Sequence, residues 1–101
     1  MTDLEVSKAL ALAIGWPEDA AGIFYGHTQV RIYKSPYDPE RCVWRVFDYR
    51  DWNVIGPIAA KFDCFPFETC DGAWQAWNSK VDHAGTPQKA IALAVIRGRA
   101  P

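Results

Sequence analysis

The segment Cys42–Trp52, CVWRVFDYRDW, combines a strand-like run with the start of a helix. Its first half, Cys42–Phe47, alternates between two sets of side chains, which is the two-residue period of a β-strand. Because both sets are largely apolar, we expect a central strand covered on both faces. Trp44 and Val46 are expected to belong to the core.

The second half of the segment, Asp48–Trp52, is predicted to be the corner between this strand and a helix. Asp48 or Asp51 can cap that helix, since a short acidic side chain accepts a hydrogen bond from a free amide of the first turn. We expect Tyr49 and Arg50 to point outward and Trp52 to turn inside. A binding surface is therefore expected at this corner.

The helix after the corner carries an apolar stripe and a proline. The stripe has the helical spacing i, i+3, i+7 and i+10 and consists of Trp52, Ile55, Ala59 and Phe62. Pro57 leaves two alternatives, because proline disrupts a helix interior but is well tolerated at the first helical position. One is a kinked helix from about Asp51 to Lys61, which we favour, and the other is a regular helix that starts at Pro57.

The chain before this segment is predicted to contain a helix and two short strands. Thr2 and Glu5 form a capping-box pattern at the helix start, and Gly15 suits a left-handed cap at its end. The period then changes to two, in the runs Ile23–Tyr25 and Val30–Tyr33.

The chain after the second helix is predicted to form a hairpin and a last helix. The runs 64–69 and 73–78 flank Asp71-Gly72, a turn signal because both residues tolerate positive φ. Thr86-Pro87 combines a cap with a pre-set first residue, the run Ala90–Ile96 supplies the apolar stripe, and Gly98 is expected to end the helix.

These elements predict an α+β fold. We expect an antiparallel sheet of about four strands covered by about three helices, a layered α/β/α sandwich with the order α-β-β-α-β-β-α. Tryptophans are the predicted core anchors, namely Trp16, Trp44, Trp52 and Trp74.

Composition favours one cytoplasmic domain, residues 1–101. Half of the 101 residues are hydrophobic, and eleven basic against twelve acidic residues give a net charge of −1. This balance provides no strong field for nucleic acid or an anionic membrane. The apolar run Ala90–Ile96 is far shorter than the roughly 20 residues that cross a bilayer, and Met1–Lys8 lacks a basic signal region.

No catalytic, metal or cofactor site is predicted. Three cysteines are an odd number, which favours reduced thiols, and Cys64 and Cys70 are six positions apart, wider than the usual zinc-binding pairs. His27 and His83 are the only histidines, and a solvated surface residue is the expected role of His83. No nucleophile elbow or phosphate-binding glycine loop occurs.

Several short motifs resemble a phage family. Gly56-Pro57-Ile58, the pair Trp74 and Ala76, Gly85-Thr86-Pro87 and the opening Ile14-Gly15-Trp16 resemble the NinX-like accessory proteins of tailed phages and the related phage "ABA sandwich" domain. The span Phe24–Phe47 has no counterpart in the pattern. The resemblance implies a small phage or prophage protein made in the bacterial cytoplasm, with a layered fold and no catalytic residues.

We therefore expect a non-enzymatic protein that binds a host or phage protein, with inhibition of a host factor or antiviral defence system as its role. Aromatic and arginine side chains supply much binding energy at protein interfaces. The candidate partner-binding residues are Tyr37, Arg45, Asp48, Tyr49, Arg50 and Trp77. The alternative is a weak nucleic-acid-binding module that uses Arg31, Arg41, Arg45 and Arg50. A homodimer is also compatible with the sequence.

Overall fold

A computed structural model describes residues 2–33, 37, 40–69, 72–76 and 84–99 of the chain. The chain divides into two compact units, Met1–Asp48 and Tyr49–Pro101, and each is described by itself. The single domain that the composition favours stays a prediction.

The first unit opens with helix α1, Asp3–Ala13. Thr2 caps it as predicted, since the amide of Glu5 donates to Thr2 Oγ1 at 3.2 Å. Gly15 takes a φ of 118° after the helix end. The amide of Gly15 then donates to the Leu12 carbonyl and that of Trp16 to the Ala11 carbonyl, which is the Schellman arrangement. Both predicted ends of α1 are confirmed.

A short 3-10 helix, Glu18–Ala20, leads into three antiparallel strands: β1, Ala21–Phe24, β2, His27–Tyr33, and β3, Cys42–Val46. Their order in the sheet is β1-β2-β3. The turn between β1 and β2 is only two residues long. Tyr25 and Gly26 have φ values of 54° and 77°, and positive φ at both positions matches the right-handed twist of the flanking strands.

The prediction that β3 is a central strand is wrong. The central strand is β2, and β3 lies at one edge of the three-stranded sheet. Only one face of β3 is covered well, because Phe47, next to its end, is buried whereas Trp44 and Val46 are exposed. An apolar residue on both sides of a strand is therefore no proof of two covered faces.

Helix α1 packs against β1 and β2 and covers one face of the sheet. The hydroxyl of Thr28, which is buried, donates to the Leu4 carbonyl at 2.7 Å and ties β2 to α1. A satisfied buried hydrogen bond of this kind contributes about 1 kcal/mol. The most buried apolar side chains of this unit are Val6, Leu10, Ala11, Ala20, Ala21 and Val30.

The second unit contains helix α2, Trp52–Phe62, with Pro57 inside it. The amide of Asn53 donates to the Asp51 carboxylate at 2.9 Å, so Asp51 is the cap. The helix starts well before Pro57, which excludes a start at Pro57 and confirms the single helix of the favoured alternative, whereas the predicted kink stays a prediction. Cys64 follows a left-handed residue, Asp63, and its amide donates to the Ala59 carbonyl.

The predicted orientations of Tyr49 and Trp52 are reversed, whereas Arg50 is exposed as predicted. Tyr49 is only 2% exposed, whereas Trp52 is 50% exposed. Side chains tilt toward the N-terminus of their helix, so Trp52, in the first position of α2, projects past the helix start instead of over the buried Ile55 and Ala59. Strand β3 ends at Val46, so the alternation of its side chains between two faces does not determine the orientation of Tyr49.

Two strands and a helix complete the second unit: β4, Pro66–Glu68, β5, Trp74–Ala76, and α3, Pro87–Arg99. β4 and β5 pair antiparallel, and α3 packs against both strands and against α2. The amide of Lys89 donates to Thr86 Oγ1 at 3.2 Å, as expected of a cap. The predicted end of α3 at Gly98 is wrong, since the helix continues through it.

The α+β class with three helices is confirmed. The described strands divide into a three-stranded and a two-stranded antiparallel sheet, each smaller than the four-stranded sheet predicted. Three strands precede α2, as the three strand-like runs indicate, so the order is α-β-β-β-α-β-β-α and the predicted order had one strand too few. Within the described ranges, no helix has the length and apolar character needed to cross a membrane.

Candidate functional site

Two aromatic rings lie together on the sheet face of the first unit that α1 does not cover. Phe24 ends β1 and Trp44 is the middle residue of β3. Their ring centroids are 5.1 Å apart with the planes at 71°, the edge-to-face geometry that aromatic pairs prefer. Phe24 is 44% and Trp44 39% exposed, so the pair is held in place and still open to solvent.

Gly22 makes room for this pair. It lies two residues before Phe24 and so on the same face of β1. A Cβ atom at Gly22 would lie 2.6 Å from Cε2 and 2.8 Å from Cζ of Phe24. The phenyl ring therefore lies directly over the Gly22 backbone, which brings it toward Trp44 across the central strand.

Tyr25 and Gln29 complete the surface. Tyr25, in the tight turn, is almost fully exposed, and Gln29 is paired with Gly22 across the sheet. The Gln29 side-chain amide donates to the Phe24 carbonyl at 3.1 Å, which holds it beside the rings. A cavity of about 420 Å³ lies among four residues, which we call the aromatic face: Phe24, Tyr25, Gln29 and Trp44.

The charges of the first unit do not make this face basic. Arg31 pairs with the Asp19 carboxylate at 3.3 Å. Residues 1–48 contain five lysines and arginines against seven aspartates and glutamates. Phosphate binding needs an excess of positive charge, so the balance favours an uncharged or mixed-charge ligand over nucleic acid.

The aromatic face is suited to recognition more than to chemical conversion. The Phe24 and Trp44 rings lie on strands and contact each other, so these two rings lose little conformational entropy when a ligand covers them. Tryptophan, tyrosine and phenylalanine are enriched in interface cores. The arrangement can bury an apolar side chain of a partner and donate or accept hydrogen bonds at its margin.

The predicted partner-binding residues are spread over both units. In the first unit, Tyr37 is almost fully exposed, Arg45 is exposed and Asp48 is half-buried. In the second unit, Arg50 is exposed and its carbonyl accepts from Gln88 Nε2 at 3.2 Å. Tyr49 is buried, so its proposed role as an exposed contact is wrong.

Trp77, the sixth predicted contact, lies outside the described residues. Of the predicted core anchors, Trp16 and Trp74 are half-buried. Trp44 and Trp52 are exposed, and the prediction that they are core anchors is wrong. Trp44 is of functional interest because it is exposed beside Phe24 on the sheet face that α1 does not cover.

Sequence reasoning missed three of the four residues of the aromatic face, Phe24, Tyr25 and Gln29. The predicted runs Ile23–Tyr25 and Val30–Tyr33 left Gly26–Gln29 between them unassigned, which hid the tight turn. The sequence contains a signal for this turn. Thr28, Val30 and Ile32 belong to one alternating set, so the strand that contains Val30 extends back at least to Thr28 and leaves only a short connection after Phe24. Gly26 then becomes the second residue of a two-residue turn.

Two of the described nucleophile candidates, Cys64 and Ser7, are poorly placed for catalysis. Burial, and secondarily the Asp63 carboxylate, raise the pKa of the Cys64 thiol above its ordinary value. A nucleophilic cysteine needs the opposite shift, because the thiolate is the reactive form. Cys42 is exposed, whereas Ser7 is buried. In the described part of the chain, no three His, Cys, Asp or Glu side chains cluster to hold a metal ion.

Alkylation tests this account of the thiols. We expect iodoacetamide at pH 8 to modify Cys64 at least about tenfold more slowly than Cys42, because Cys64 is buried and holds its proton more tightly. Peptide mapping by mass spectrometry measures both rates. In denaturant the two cysteines should react alike, and equal rates in the folded protein would contradict the buried position of Cys64.

The raised pKa also has a consequence for stability. Because the folded state favours the protonated thiol of Cys64, its contribution to stability is present below the pKa of the unfolded thiol and is lost as the pH rises through the folded pKa.

Comparison of the chain with protein-family models, with curated proteins and with solved structures finds no match.

Proposed function

We propose that this protein is a non-enzymatic accessory protein of a phage or prophage that binds another protein in the bacterial cytoplasm. The aromatic face is the proposed binding surface, and the paired Phe24 and Trp44 rings are the observation that carries the proposal. The proposed consequence of binding is inhibition of a host factor, such as a component of an antiviral defence system.

The phage origin rests on the sequence motifs. Gly56-Pro57-Ile58, Trp74 with Ala76, and Gly85-Thr86-Pro87 support it through their resemblance to phage accessory proteins. The absence of catalysis is supported by the raised pKa of Cys64 and the burial of Ser7. Binding through the aromatic face is therefore the activity that we propose.

A protein partner fits the surface better than nucleic acid. Base stacking would use the same rings, but stacking sites are normally bordered by cations that follow the phosphates. Arg31 is neutralised by Asp19, and Arg45 projects from the opposite set of β3 side chains from Trp44. An apolar side chain of a protein has no such requirement.

Capture with matched variants tests the proposal. The tagged wild type, Trp44→Ala and the control Phe67→Ala are incubated with bacterial lysate treated with nuclease. Phe67 is a comparably exposed aromatic residue on β4, so its loss controls for nonspecific adhesion. We expect the wild type and Phe67→Ala to retain one protein in stoichiometric amount, and purified Trp44→Ala to bind it at least about tenfold more weakly.

Three outcomes would contradict the proposal. Recovery of nucleic acid from untreated lysate without any protein would favour the alternative, particularly if binding fell steeply with salt. Recovery of no stoichiometric partner would remove the support for a binding role. A partner that binds Trp44→Ala as tightly as the wild type would move the binding surface elsewhere.

A further inference from the structure

The outer edge of β3 has backbone groups without a strand partner among the described residues. The amide of Phe47 donates to the Thr28 carbonyl at 2.8 Å, which fixes the phase of the β2–β3 ladder. In an antiparallel pair the bonding residues alternate, so Val43 and Arg45 also direct their backbone groups to β2. The N–H and C=O groups of Cys42, Trp44 and Val46 therefore point away from the sheet.

The same three residues place their side chains on the sheet face that α1 does not cover. Trp44 and Val46 are exposed there; Trp44 lines the cavity of the aromatic face, and Val46 is paired with Gln29, which also lines it. An added strand would thus meet outward hydrogen-bonding groups and apolar side chains from the same positions. Its own alternate side chains would lie over Trp44 and Val46.

The charge of Arg45 indicates which kind of side chain an added strand should carry on the opposite sheet face. Arg45 is exposed and is the only charged residue from Cys42 to Phe47. Opposite charges on neighbouring strands stabilise a pair, and like charges destabilise it. A segment with an acidic residue near Arg45 and apolar residues over Trp44 and Val46 complements β3.

We propose that β3 accepts an extended segment of the partner protein as a fourth strand, with an acidic residue of that segment beside Arg45 and its apolar side chains against the aromatic face. This inference rests on the proposed function and names the partner's binding element. Main-chain hydrogen bonds to an open sheet edge supply affinity, and the alternate side chains supply specificity.

A second copy of this chain is a poor occupant of the same edge. Pairing of β3 with β3 would bring two Arg45 side chains onto one face, with no acidic residue in Cys42–Val46 to offset them. Such like-charge neighbours oppose self-pairing at strand edges.

Synthetic peptides test the inference independently of any captured partner. The probe peptide alternates valine with glutamate. One control replaces every glutamate by lysine. Two further controls carry methylated backbone nitrogens, one at every valine and the other at every glutamate. We expect the valine–glutamate peptide to shift the amide NMR signals of Cys42, Trp44 and Val46. The lysine peptide and one of the two methylated peptides should bind at least about tenfold more weakly.

Val46→Pro tests the edge from the protein side. Proline removes an outward N–H that the β2–β3 ladder does not use, and strand edges tolerate it. The control Val46→Thr keeps both the N–H and the branched side chain. We expect Val46→Pro to lose peptide binding and Val46→Thr to retain it, with the far-ultraviolet circular dichroism of both unchanged. The methylated peptides keep the test decisive if Val46→Pro does not fold.

The results separate the two proposals. If a captured protein depends on Trp44 but binds Val46→Pro normally, the added strand is wrong and the proposed function stands. If both methylated peptides bind like the parent, or no β3 signal shifts, the added strand is also wrong. Dimers that disappear in Val46→Pro would assign the edge to a second copy instead. If only the lysate capture fails, the result contradicts the proposed function and not the added strand.

Discussion

Replacing Leu10 by alanine is expected to lower the free energy of unfolding by about 2–5 kcal/mol. Leu10 is 0% exposed in the middle of α1, which packs on β1 and β2. The truncation removes buried methyl groups and leaves a cavity that the surrounding strands fill only in part. Because tightly packed cores relax little, both effects act in the same direction.

Leu12→Ala is the matched control for this truncation. Leu12 lies on the same helix with the same chemistry, but it is only partly buried. Urea unfolding followed by circular dichroism gives the free energy of each variant, provided that the slope is unchanged. We expect Leu12→Ala to cost less than half as much as Leu10→Ala. Equal losses would contradict the placement of Leu10 at the centre of this core.

Replacing Gly22 by alanine is expected to weaken partner binding at least about tenfold with a stability change below about 1 kcal/mol. The new Cβ would lie 2.6 Å from the Phe24 ring, so the ring must move. The ring is at the end of a partly exposed side chain and can swing away at little cost. Its movement separates it from Trp44 and reshapes the aromatic face.

The Phe24→Ala background isolates this effect. Without the ring, an alanine at Gly22 meets nothing that needs to move, so Gly22→Ala should add no further loss of binding. Nuclear Overhauser contacts between the Phe24 and Trp44 rings report the displacement directly in the single variant. Intact ring contacts in Gly22→Ala, or equal losses in both backgrounds, would contradict the role assigned to Gly22.

Elements with a local cause could be predicted well. Thr2 and Thr86 cap helices because a hydroxyl satisfies a nearby amide, whatever the rest of the chain does. Gly15 ends α1 because it adopts positive φ without strain. The hairpin between β4 and β5 follows the same logic, with Gly72 at a φ of 82°, whereas Asp71 lies outside the described residues.

The candidate site was predicted less well because it depends on neighbours distant in sequence. Arg50 was correctly expected to point outward, but Tyr49 is buried and Trp52 is exposed, the reverse of the prediction. Phe24 gains its position from Gly22 and Trp44, and no local pattern in the β1 sequence announces an interaction with β3.

The α+β class, the caps at Thr2 and Thr86 and the alternation of Cys42–Phe47 all follow from the amino-acid sequence. Which of the two alternating sets is covered depends on the tertiary structure. Alternation defines two faces, but the strand order and the packing of α1 select one of them. As β3 is an edge strand and α1 covers the opposite face, Trp44 lies on the open side beside Phe24, at the proposed binding surface and not in the core.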